Sequence, residues 1–230
     1  MKRYALEGSV IIIGILFSFY IEEMRIQNKN VEIKNELLLD LNRAIESDII
    51  QINNVRELLN KSQAEISEIQ SDIKTNHQQI SDLEAIKKLL AINVSISFFP
   101  QEGVFTELVS SGSFELIKNK ELKSKLLEIY NHQKERNYSI SDDIDVLMKD
   151  YTQAIMTNFR IGINYSPFDG EIYGTLIMED YVFDSEYYLS NEFYGFNSTL
   201  KIFGFLYSRL LNDIKKSHEA ILLLSLAEIG

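Results

Sequence analysis

"LLLDLNRAIESDIIQINNVRELLNKSQAEISEIQ", Leu37 to Gln70, keeps its apolar residues in a heptad. Leu38, Leu41, Ile45, Ile52, Val55, Leu59, Ile66 and Ile69 recur at alternating spacings of three and four, and Ile73, Ile80, Leu83 and Leu90 extend the series. Where the seam lacks an apolar residue, Asp48, Ser62 or Asn76 stands in its place. A repeat of this kind predicts long helices packed along a narrow seam. Leu37, Ile49 and Leu58 widen the stripe, which favours an antiparallel bundle over an isolated two-stranded coiled coil.

Composition agrees with a helical reading. The 230 residues include two prolines and ten glycines, the residues that helix interiors tolerate least. A hydrophobic fraction of 45% supports a folded core, and the length allows one good-sized domain or two small ones. The net charge of −11 speaks against nucleic acid as a partner, because neutralising phosphate takes clustered Lys and Arg. The chain has no cysteine, which excludes disulfide staples and thiolate metal sites.

Upstream of the heptads stands "EGSVIIIGILFSFYIEEMR", Glu7 to Arg25. Tyr4 to Ile21 is interrupted by Glu7 alone, and eighteen residues of helix span about 27 Å. Gly8 to Ile21, the strictly uncharged part, has fourteen residues, the length of a signal-peptide core. Cleavage needs small residues, and Ser18 followed by Phe19-Tyr20-Ile21 is a poor site. The run also lacks a polar face, which weakens a buried core helix. The expectation is a short basic N-terminus at 1–3, an uncleaved transmembrane anchor at 4–22 in contact with the lipid bilayer, and a helical-bundle domain at 23–230. Glu7 would sit at the interface, and Gly14 with Ser18 would let two anchors pack closely. Lys2 and Arg3 ahead of the run favour a body outside the cytoplasm.

Downstream, the polar stretch Lys74 to Gln79 and the capping box Ser81-x-x-Glu84 predict a break and then a shorter helix ending near Asn93. Val94 to Phe99 is β-branched and aromatic, and Pro100 marks a boundary. Gly103 to Tyr130 reads as a compact helical connection in which Gly112 can supply a left-handed cap and Asn119 an N-cap. A helix over Lys120 to Phe159 follows, with a kink expected in the polar patch Asn131 to Asn137. A last helix covers about Ser198 to Ile229.

Between these two helices, residues 162–197 are crowded with aromatic and acidic side chains and contain no Lys or Arg. The reading is an irregular cap over one end of the bundle, with room for a short hairpin. Tyr173, Tyr181, Phe183, Tyr187 and Tyr188 form its candidate interaction surface. Asp169-x-Glu171 and Asp184-x-Glu186 could ligate calcium, although the spacing is not that of an EF-hand. No metal or cofactor is expected. The three histidines, His77, His132 and His218, have no second ligand at helical spacing and read as surface residues. No phosphate loop or nucleophile elbow occurs, so no catalytic residue is assigned and no enzymatic activity is expected.

Two stretches resemble an uncharacterised family of bacterial single-pass membrane proteins, domain of unknown function 6090. The first is Glu7 and the apolar run with Ile13-Gly14-Ile15-Leu16. It departs at Tyr20, Glu22, Glu23 and Met24, where the family has a Gln, an Asn pair and a Trp. The second is "FTELVSSGSFELIKNKELKSKLLEIY", Phe105 to Tyr130, with Thr106-Glu107-Leu108, Ser111-Gly112, Leu116-Ile117 and Asn119-x-Glu121-Leu122 in the family's order. The resemblance implies a mostly helical protein of the inner membrane with a periplasmic body, and brings no known activity. The function expected is a membrane-anchored interaction or scaffold module of the bacterial envelope, docking a protein partner or another copy. The second reading is an extracytoplasmic, sensory domain that binds a small ligand among the cap aromatics.

Overall fold

In the computed structural model the heptad region lies within one unbroken helix, α1, from Lys2 to Lys74. The backbone is described for residues 2–166 and 175–229, and side chains for 11–164 and 177–229. After α1 come α2 (Asp82–Ala91), α3 (Gly103–Ser110), a 3-10 turn (Ser113–Leu116), α4 (Lys120–Leu127), a π turn (Glu128–Gln133) and α5 (Lys134–Asn158). Strands β1 (Arg160–Ser166) and β2 (Thr175–Val182) pair antiparallel, and α6 (Ser185–Tyr188) and α7 (Asn191–Ile229) complete the chain. The fold is mostly helical, as the periodicity predicts.

The chain divides into two units. The first comprises Met1–Asp48, Pro100–His132 and Ser217–Gly230. It buries Leu38, Leu41 and Ile45 of α1, Leu122 and Leu126 of α4, and Ile221 of α7. Here Gly112, at φ 77, supplies the left-handed residue that ends α3. Asn119 caps α4 by accepting from the backbone N–H groups of Glu121 and Leu122. Phe105 stacks on Tyr130 with ring centroids 4.3 Å apart. The carboxylate of Glu228 accepts from Lys34 Nζ and from the backbone N–H groups of Lys118 and Asn119, all at 2.9 Å.

The second unit comprises Ile49–Phe99 and Gln133–Lys216. Its core runs from Ile52, Leu59 and Ile66 on α1 through Ile86 and Leu89 on α2 to Tyr151, Phe193 and Tyr207. Ser81 caps α2 by accepting from Glu84 N–H, as the capping box predicts. Residues 92–99 form no helix and no strand pair. Side chains fix this strap instead. Phe98 N–H donates to Tyr207 Oη at 2.9 Å, Tyr207 donates to Asn137 Oδ1 at 3.1 Å, and Asn137 Nδ2 donates back to Phe98 O at 2.8 Å. The hairpin expected in the cap is present, and its register slips at Gly162/Ile163. A Cβ at Gly162 would meet the Asp180 carboxylate, which would have to turn aside.

Three sequence expectations are revised. In place of the expected kink, a π turn at Glu128–Gln133 interrupts the helix and overlaps the polar patch at residues 131–133. Helix α7 starts at Asn191 rather than near Ser198, because Phe193, Asn197 and Leu200 already follow helical spacing and are buried.

The third revision concerns the anchor. Among the described residues no helix is long and apolar enough to cross a membrane. The strictly uncharged run, Gly8 to Ile21, is fourteen residues long and ends at Glu22 and Glu23. Fourteen residues of helix reach about 21 Å, against a hydrocarbon core of about 30 Å. The transmembrane anchor at 4–22, the bilayer as its partner and the inner-membrane placement with a periplasmic body are therefore withdrawn. The run is the beginning of α1, and Glu7 lies outside the described side chains.

Candidate functional site

A group of titratable and aromatic side chains in the second unit gathers around the turn between α1 and α2. Helix α1 ends at Lys74, and Asn76 and His77 then take left-handed backbone at φ 56 and φ 58. Asparagine enters that region readily, whereas a histidine there needs support from its surroundings. Asp72 gives that support. Its Oδ2 lies 2.6 Å from His77 Nδ1, and its Oδ1 accepts from the backbone N–H groups of Gln79 and Ile80. The Tyr188 hydroxyl, from α6, donates to Asp72 Oδ2 at 2.9 Å. On the far side of the ring, His77 Nε2 lies 2.8 Å from Asp82 Oδ1 in the first turn of α2.

Both ring nitrogens of His77 thus face carboxylate oxygens. A neutral imidazole has one N–H to donate, so satisfying both contacts requires the imidazolium. Burial pushes the His77 pKa down, but the pairs with Asp72 and Asp82 outweigh it and hold it above 6.5. Burial pushes the Asp72 carboxyl up, but hydrogen bonds from His77, Gln79, Tyr188 and Ile80 outweigh that and hold it below 3.8. The Tyr188 phenol is pushed far above its ordinary range by burial and then by the Asp72 carboxylate.

Aromatic rings close the group. Phe183 stacks on His77 at 4.8 Å and Tyr188 meets it edge-on at 4.9 Å. Phe159 and Phe193 pack behind them. With Asp72 and Tyr188 wholly buried, a substrate has no route to the carboxylate or the phenol. The arrangement can fasten α6 and α2 to the end of α1. Its exposed carboxylate, Asp82, is engaged with His77 Nε2.

The residues singled out in the sequence fall in different places. Tyr188 is buried, Tyr181, Phe183 and Tyr187 are partly buried against the core, and Tyr173 lies outside the described residues. Phe183 and Tyr188 pack on each other and on His77, and Tyr187 packs on Phe159 and Phe193. Asp184 caps α6 by accepting from Tyr187 N–H, while Asp169 and Glu171 lie outside the described residues. Among the described residues no group of three or more His, Asp or Glu is placed to hold a metal ion. Gly14 has open space where a Cβ would stand, and Ser18 Oγ donates to Gly14 O at 2.9 Å.

Two histidines depart from the surface reading. His77 is 12% exposed at its side chain, and His218, wholly buried in the first unit, stands 3.5 Å from the buried Asp48. The signal for His77 was present in the sequence: acids stand five residues before and five after it, at Asp72 and Asp82. Helical spacing rules did not reveal it because the chain turns at that point.

A model of the family of unknown function DUF6090 matches residues 7–153. The chain belongs to that family. The match takes in the N-terminal run and the Phe105 to Tyr130 stretch, together with α2, α4 and most of α5. The His77 turn and both its acids lie inside the matched residues, and Tyr188 lies beyond them. No curated protein and no solved structure matches the chain.

Proposed function

We propose that this DUF6090 chain is a helical interaction module that docks through the N-terminal part of α1, most simply onto a second copy of itself. The observation that carries this reading is the exposed apolar surface from Ile11 to Ile26. Ile11, Ile13, Leu16, Phe17 and Phe19 are each more than 60% exposed, and Met24 and Ile26 continue the row. Isolated exposed apolar residues are ordinary, but a contiguous row on one helix marks a surface that something covers. Gly14, with Ser18 tied back onto its carbonyl, leaves a low point where a second helix backbone can approach.

Light scattering on the purified full chain without detergent tests the reading. A dimer or higher assembly is expected, and Leu16→Asp should shift it to the monomer. A wild-type chain that is monomeric at all concentrations, or that disperses only when detergent coats the helix, overturns it. The alternative of a ligand among the cap aromatics draws less support, because Phe183 and Tyr188 already spend ring contacts on His77.

A further inference from the structure

Arg56, Asn60 and Gln63 stand on one face of α1, at spacings of four and three. With Phe205, Arg209 and Asn212 of α7 they line a groove of about 450 Å³ inside the second unit. No carboxylate lines it, so in a chain of net charge −11 two guanidinium groups share a locally cationic groove. Among the described residues neither arginine has an ion pair or a hydrogen bond, and Arg56 Nε is buried without an acceptor. A buried donor is ordinarily satisfied, so this nitrogen has an unused bond to offer an acceptor that enters the groove.

The floor and the neighbouring surface limit what that ligand is. Gln63 Nε2 donates to Lys201 O at 2.8 Å, and a Cβ at Gly204 would come within 2.5 Å of that nitrogen. Glycine thus leaves room for that amide. Beyond Gln63 and Phe205 the groove continues into a second one of about 430 Å³, whose lining is mostly apolar. Ile202, Phe205 and Leu206 line it and are exposed.

We infer that the two grooves together bind an amphiphilic anion. Its carboxylate or phosphate monoester lies between Arg56 and Arg209, and its apolar chain lies along Phe205, Ile202 and Leu206. Guanidinium groups suit such heads because their planar N–H forks match the oxygens of both. The size suits a small ligand and the lining couples two guanidinium groups to apolar surface, as ligand sites commonly couple a few polar groups to an apolar wall. This site is separate from the α1 surface proposed for self-association, and its test reads affinity rather than oligomeric state.

The test is calorimetric titration of the full chain with decanoate, decyl phosphate, decanol, decyltrimethylammonium and inorganic phosphate. Decanoate and decyl phosphate should bind saturably, one per chain, while decanol and the cation should not. Arg209→Ala and Phe205→Ser alter exposed side chains and should each weaken binding at least tenfold, with helical circular dichroism and unfolding temperature retained. Equal binding of decanol or of the cation overturns the inference, and so does unchanged affinity in Arg209→Ala. Inorganic phosphate binding as tightly as decyl phosphate removes the apolar half and also overturns it. An acidic amphipathic peptide that binds the grooves when decanoate does not makes them a protein-docking surface instead.

Discussion

Nδ1 of His77 lies 2.6 Å from Oδ2 of Asp72, on a turn where His77 itself has left-handed backbone. Asp72 is wholly buried, so the imidazolium is what keeps its charge tolerable there. The same carboxylate also accepts from Gln79, Ile80 and Tyr188, so one side chain organises the end of α1, the turn and α6.

Replacing His77 by Ala should therefore destabilise the second unit by about 2–4 kcal/mol, since it leaves a buried carboxylate without its cation. Asp82→Asn should cost under about 1 kcal/mol, because that acid is largely exposed. Denaturant midpoints of the two variants check this. Equal losses would show that the buried side of the clasp carries no special weight.

The pair also sets a pH window. His77 has a raised pKa in the fold, so its contribution is complete below 6.5 and is lost as pH rises through the higher folded value. Asp72 has a lowered pKa, so its contribution is present above 3.8 and is lost as pH falls through the lower folded value. The clasp should thus be strongest between these two ordinary values. Unfolding midpoints across pH should show an alkaline decline in the wild type that is reduced in His77→Ala. A decline of the same size in both would exclude His77 as its source.

Tyr207→Phe removes the hydroxyl that joins Phe98 to Asn137 and also receives Ser141 Oγ at 3.3 Å. The loss should be about 1–3 kcal/mol, with no change in volume at the ring to blame. Hydrogen exchange should speed up over residues 92–99 ahead of the helices. Uniform acceleration through the unit would show that the strap is not held at this point.

In the first unit, Glu228 and Lys34 form an ion pair with each side chain 5% exposed. Burial raises the Glu228 pKa, but the N–H of Lys118, the Lys34 ammonium and the N–H of Asn119 outweigh it and hold it below 4.5. A double-mutant cycle of Glu228→Gln with Lys34→Met should give a coupling of about 1–3 kcal/mol. The double variant should be more stable than Lys34→Met alone, which strands the carboxylate. Additive effects would place the two charges in water rather than in contact.

The sequence alone determined most of the helices and several of their caps, though not the start of α7 or the π turn before α5. The heptad from Leu38 to Ile69 is buried along its apolar seam, and Asp48 and Ser62 are buried where the seam lacked an apolar residue. Gly112, Asn119 and Ser81 cap where they were expected to, because caps depend on a few neighbouring residues. Apolar content by itself did not decide the N-terminal run. The charges at Glu7, Glu22 and Glu23 hold the uncharged run to fourteen residues.

Only the tertiary structure joined His77 to Asp72 and Tyr188, or Arg56 to Arg209. Tyr188 is 116 residues from Asp72, and nothing in local periodicity records such a pairing. Local rules register the period of a helix and the chemistry of its ends. Which buried charges meet depends on how the helices pack, and the cost of an unpaired charge selects those meetings once packing has removed the water.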